Sequence, residues 1–233
     1  MNDEITIDYA PGTPGNAIVA LLLCPGRSEH NAVPPHPAAG VTGVHLQDLM
    51  HIMRTMITNS KEAKSRLNPN DCIYDSETSR NGIMIANVFK DWYGKGSPNG
   101  RTPPHKPSCE DIVRLKKRVM KANKSLVLCF GDVASEAWDI ARECGNEETT
   151  SIVVKCCHVG NKGLNSLIDF DEDGMPIKPA GRDKAKQKEN TRKRLTVLAN
   201  YIVGSVCGNL KESLRCYVTK LGHQCKCCSQ GTN

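Results

Sequence analysis

AIVALLLC, residues 17–24, sets eight apolar side chains in succession and then breaks into PGRSEHNAVPPHPAAG, residues 25–40. A strand with one wet face alternates apolar with polar residues, whereas an unbroken run suits a strand covered on both faces, as in a parallel sheet. The run is also far too short to cross a bilayer. Further along, HLQDLMHIMRTMI (45–57) puts Leu46, Leu49, Met50, Met53, Met56 and Ile57 at helical spacing, a stripe that reads as core. IMIANVF (83–89) reads as a second strand. Ser108 and Asp111 then form an approximate capping box for a basic helix ending near Asn123. SLVLCF (125–130) is a third strand stopped by Gly131, with Asp132 capping the helix that follows. SIVVKCC (151–157) is a fourth strand, and a last helix spans about Arg182 to Cys207. Strands alternating with helices predict an α/β fold, a three-layer α/β/α sandwich around a central, mostly parallel four-stranded sheet.

The 233 residues suffice for one such domain, expected over residues 1–206, with a Cys-rich tail over 207–233. In that tail Cys207, Cys216, His223, Cys225, Cys227 and Cys228 have the chemistry of zinc ligands, but CxCC is not the paired CxxC of common zinc modules, and no metal is expected. Twelve cysteines without a secretion signal suit a reduced, cytoplasmic protein that touches no membrane. The net charge of +6 allows a polyanionic partner without requiring one.

In a parallel sheet, ligands bind beyond the carboxyl ends of the strands. The residues leaving those ends are Cys24-Pro25-Gly26-Arg27, Asn87, Gly131-Asp132 and His158-Val159-Gly160-Asn161. The stretches LLCPGRSE (22–29), IMIANVFKDW (83–92), SLVLCFGDVASEAW (125–138) and CCHVGNKGLNS (156–166) stand in the order and spacing of a known pattern. It comprises a G-x-x-P-G-type motif after the first strand, an Asn ending the second, and a His-Pro-Ser-like motif after the last. Over roughly residues 17–206 the chain resembles the uracil-DNA glycosylase superfamily.

That resemblance implies a cofactor-independent monomer that flips a base out of DNA and hydrolyses its N-glycosidic bond. It makes Asn87 the reader of a pyrimidine edge, its amide offering one donor and one acceptor. It makes His158 the group that stabilises the departing base, and Leu164, on the loop 159–164, the wedge that fills the vacated stack. Pro25 and Gly26 would line the base site, while Arg27, Lys90, Asn161 and Lys162 would contact the DNA. Each position also has an ordinary structural use: asparagines cap turns and loop leucines pack.

Two departures shift the expectation. Cys24 stands where relatives place Asp or Asn to orient water, and a thiol hydrogen-bonds poorly, so Glu29 becomes the candidate carboxylate. Ala38 stands where an aromatic ring would stack on the base. Stacking contributes roughly 1–3 kcal/mol per base, so a modified or bulky pyrimidine, for example a substituted cytosine, fits better than uracil. His36 is the alternative stacker. Removal of modified bases would suit defence against phage with modified DNA; a uracil-excising repair enzyme and a non-catalytic DNA-binding module are the alternatives. The acidic stretch at Asp169, Asp171, Asp173 and Gly174 opens like a calcium loop but lacks its closing acid, so it reads as a solvated turn. Cations in 178–194, with Arg101 and Lys106, are additional phosphate candidates.

Overall fold

A computed structural model describes residues 5–12, 17–77, 82–120, 125–144 and 151–209. The apolar run 17–24 becomes strand β2 (Ile18–Leu22), between β1 (Tyr9–Ala10) and β3 (Met84–Asn87) in chain order, with β4 (Leu126–Phe130) and β5 (Ile152–Cys156) completing the sheet. The spatial order is β1-β3-β2-β4-β5. β3, β2, β4 and β5 are parallel and β1 is antiparallel to β3. The sheet therefore has five strands rather than the expected four. The extra strand is two residues long, too short to carry a period, and exists because Tyr9 and Ala10 pair with Ala86 and Ile85.

The helices are α1 (Arg27–Asn31), α2 (Val41–Asn59), α3 (Lys61–Arg66), α4 (Cys109–Leu115), α5 (Asp132–Glu143), α6 (Asn161–Leu167) and α7 (Lys184–Cys207). They divide between the two faces of the sheet, as a three-layer arrangement requires. Leu46, Leu49, Met50, Met53 and Ile57 of α2 pack with Leu195, Leu198 and Ile202 of α7 against Ile18, Ala20, Leu128 and Val154. On the other face Ile112 of α4 and Ala134, Ala137 and Trp138 of α5 cover Val19, Leu21 and Val127. Full burial of a Leu, Ile or Met contributes roughly 1.5–3 kcal/mol, so the methionine stripe is core.

The strand ends and helices follow the sequence reading with local differences. α2 begins at Val41, five residues ahead of Leu46 where the apolar spacing starts, because Gly40 at φ +73° turns the chain into it. The basic helix holds its capping box, Ser108 and Asp111, but passes from α into a π turn over Lys116–Met120. Gly131 takes the N-cap position and Asp132 is the first residue of α5. The stretch 159–164, expected as loop, runs from Asn161 onward into α6. α7 ends at Cys207 on a left-handed Gly208, and Cys216, His223, Cys225, Cys227 and Cys228 lie outside the described residues.

Candidate active site

The parallel register sets Leu22 beside Asn87, Leu21 beside Cys129 and Phe130 beside Cys156, so the residues after β2, β3, β4 and β5 leave one edge of the sheet. From β2 the chain moves to β3 on one side, and from β4 it moves to β5 on the other. The direction reverses between β2 and β4, the kind of crevice where open α/β sheets hold ligands. Asn87, ending β3, and His158, two residues beyond β5, flank it; the two strands lie three spacings apart, about 14 Å.

Asn87 is 1% exposed, and neither its Oδ1 nor its Nδ2 has a hydrogen-bond partner. Among the described residues the only other such buried atom is Trp138 Nε1, a lone donor in the opposite core. Leaving both ends of one amide open costs roughly 1–3 kcal/mol per group, a penalty that a ligand with a matching edge removes. The backbone of Asn87, by contrast, is fully engaged. Its N–H donates to the Asp8 carbonyl at 2.9 Å, and its own carbonyl accepts from Arg114 Nη1 at 3.4 Å. Arg114 Nη2 also donates to the Val88 carbonyl. Arg114 and Arg118 both donate to Asp8 Oδ2, at 2.5 and 2.6 Å, and Arg118 lies 4.9 Å over the Tyr9 ring. Sequence reasoning missed this brace. Its one visible signal in the sequence was a pair of arginines four apart on the basic helix, alongside an acidic residue at position 8.

His158 follows β5 by two residues. Gly160 N–H donates to its Nδ1 at 2.9 Å, so the ring proton of the neutral imidazole sits on Nε2. Burial pushes the His158 pKa below its usual value, which keeps the ring neutral. Two glycines make the turn possible: a Cβ at Gly160 would lie 2.9 Å from Nδ1, and one at Gly163 would run into the His158 carbonyl. A further residue, His45 on α2, was read only as helix sequence. It is buried, with Nδ1 2.7 Å from the Val159 carbonyl, and ties the histidine turn to α2.

The loop after β2 gathers Cys24, Glu29 and His36. Glu29 is buried and its Oε2 accepts the Gly26 N–H at 2.9 Å. Burial raises its pKa, opposed by the backbone N–H groups of Glu29 and Gly26 and by the nearby His36. Burial, with the Glu29 charge beside it, pushes the Cys24 thiol up to about 12, so Cys24 is protonated and is neither base nor nucleophile. Pro25 is buried, and its carbonyl accepts the Tyr93 N–H at 3.2 Å. His36 is buried with Nδ1 3.2 Å from the Pro37 carbonyl.

Two expectations are corrected here. Ala38 has no exposed surface, packs in the α2 core and adopts φ +55°, so it opens no room to solvent beside a base. Leu164 is 1% exposed within the same core because residues 161–167 fold as a helix with its apolar face inward, so it cannot reach a base stack.

Of the proposed DNA contacts, Arg27, Lys90, Asn161 and Lys162 are all exposed at this edge. Arg27 donates to the Lys95 carbonyl and Lys90 pairs with Glu110 at 3.6 Å. Arg101 and Lys106 are exposed as well. In the cationic stretch before and within α7, Arg194 is buried and donates to the Ile168 carbonyl at 2.9 Å, a structural role. The acidic turn is closed by its own backbone: Asp171 Oδ1 accepts the N–H of Asp173 and of Met175. Among the described residues no group of three or more His, Cys, Asp or Glu side chains could hold a metal ion, and no helix is long and apolar enough to span a membrane. No protein-family model and no curated protein matches the chain.

Proposed function

We propose that this protein is a monofunctional DNA N-glycosylase of the uracil-DNA glycosylase type, acting on a flipped pyrimidine-type base and leaving an abasic site. The observation that carries the reading is the buried Asn87 amide with both polar atoms unpartnered. A base edge with one acceptor and one donor would complete it. Glycosidic cleavage passes through an oxocarbenium-like sugar, so stabilising the departing base supplies much of the rate. The bond from C1′ to the base nitrogen breaks with its electron pair on the base, and the His158 Nε2–H donates a hydrogen bond to the base oxygen that gains charge. Water adds at C1′, and its proton is taken up by Glu29 or solvent. The reaction uses no cofactor.

With Ala38 packed into the core, position 38 does not single out a bulky base, so uracil and substituted cytosines are both candidate substrates, and antiviral defence is the role that a modified base would suggest. Cys24 favours a second reading, a DNA-binding module without chemistry, because a neutral thiol stands where a water ligand would act. Duplexes carrying uracil or bulky modified cytosines, treated with the protein and then with alkali, separate the two. Strand breaks lost in Asn87→Ala and His158→Ala support the enzyme, whereas tight binding without breaks on any substrate supports the module.

A further inference from the structure

The corrected position of Leu164 leaves the histidine loop without an apolar side chain to enter DNA, since Val159 is also fully buried. The exposed apolar groups at this edge lie elsewhere. Val33 is 97% exposed, and Val41 and Val44, one helical turn apart on α2, are 53% and 51% exposed. Pro34 and Pro35 beside Val33 are exposed too. Val33, Pro34 and Pro35 belong to the segment that links β2 to α2, the same one that carries Glu29 and His36, and Val41 and Val44 lie in the first turn of the helix it leads into.

We propose that the tip Val33-Pro34-Pro35, rather than Leu164, is the element that this protein inserts into the DNA base stack; the proposal rests on the DNA-glycosylase reading. The tip is rooted on both sides. Before it, Glu29 is buried and His30 stacks on Trp92, ring centroids 4.9 Å apart. After it, His36, Ala38 and Ala39 are buried, and Gly40 packs so closely on Ser28 that a Cβ there would lie 2.6 Å from Oγ. A protrusion fixed at its base keeps its shape when pushed into a stack. Its side chains carry no donor or acceptor, and prolines offer no N–H. The tip therefore suits unstacking, for which apolar and proline wedges serve, rather than readout of base edges.

The surroundings fit a duplex on either side of the wedge. Residues 92–108 contain Lys95, Arg101, His105 and Lys106 and no acidic residue. Arg27 anchors this loop to α1 through the Lys95 carbonyl. On the α2 side of the tip, exposed Lys162 lies in the first turn of α6, just after the His158 turn, which is joined to the first part of α2 through His45. Apolar bulk between two cationic flanks matches stacked bases between two phosphate backbones.

The test uses the full chain and a duplex bearing a tetrahydrofuran abasic analogue with 2-aminopurine beside it, the same strand unpaired, and anionic lipid vesicles. Wild-type protein should raise 2-aminopurine fluorescence in the duplex. Val33→Ser should lower duplex affinity about tenfold and lose the fluorescence rise, while single-strand affinity stays within about twofold. Val33→Leu should retain both. Excision from single-stranded substrate by Val33→Ser at the wild-type rate would show that the chemistry is intact. Equal unstacking by Val33→Ser and wild type, parallel losses on duplex and single strand, or an effect confined to vesicles would each overturn the wedge and leave the glycosylase reading standing. A wild-type protein without affinity for either DNA would remove both.

Discussion

Asn87→Leu should make the protein more stable and inactive at once. The wild-type amide buries a donor pair and an acceptor without partners, and each such group costs roughly 1–3 kcal/mol. Leucine keeps the branching and has no polar atoms, while accommodating its bulkier methyl groups takes back roughly 1–3 kcal/mol. The net expectation is a gain of about 1–3 kcal/mol, or a rise in Tm of about 2–4 °C per kcal/mol for a chain of this size. Urea and thermal unfolding of the full chain, paired with the strand-cleavage assay, read both quantities. Asn87→Asp supplies the opposite sign, since a carboxylate buried there would be destabilising. A Leu variant that loses more than 1 kcal/mol would mean the amide is satisfied within the fold, and one that still excises bases would mean it does not read them.

Three other outcomes follow from the same geometry. Arg114→Met should weaken the hold on the Asn87 backbone and raise KM more than it lowers kcat; Arg114→Lys should recover only part, because one ammonium cannot reproduce the forked contacts, and equal behaviour of Met, Lys and wild type would dismiss the brace. Gly163→Ala, forced against the His158 carbonyl, should cut excision at least about tenfold while circular dichroism stays native, so an unaltered rate would show that the turn tolerates displacement. The buried His158 binds its proton less readily in the folded protein than in the unfolded chain. Its contribution to stability is therefore complete above pH 6.5 and falls as pH drops below that value, and the acid limb of kcat/KM should lie below pH 6.5 and change in His158→Asn. A limb centred above pH 6.5 would contradict a neutral histidine.

Much of the sheet was legible because its central strands are continuous apolar runs with glycine or proline at their ends, while apolar spacing of 3.6 marked α2 and the turn at Gly131-Asp132 marked the start of α5. Four of the five strands and their exit residues followed from that pattern. β1 was not legible, since two residues hold no period and their strand exists only through pairing with β3. The same limit hid the Asp8–Arg114–Arg118 brace, which joins residues more than a hundred positions apart. Leu164 and Ala38 were misplaced for a different reason: their roles were carried over from motif position, while burial is decided by where α6 and α2 pack. His45 lies on the buried side of α2, and nothing in its spacing distinguishes an anchor of the histidine turn from any other core position.

Base excision is tested most directly by mass spectrometry of DNA carrying uracil or substituted cytosines after incubation with the protein. Free base and an equal amount of abasic strand are expected from at least one of these substrates, with neither product formed by Asn87→Ala or His158→Ala. Intact DNA with every pyrimidine tested, or undiminished release by both variants, would contradict the glycosylase reading.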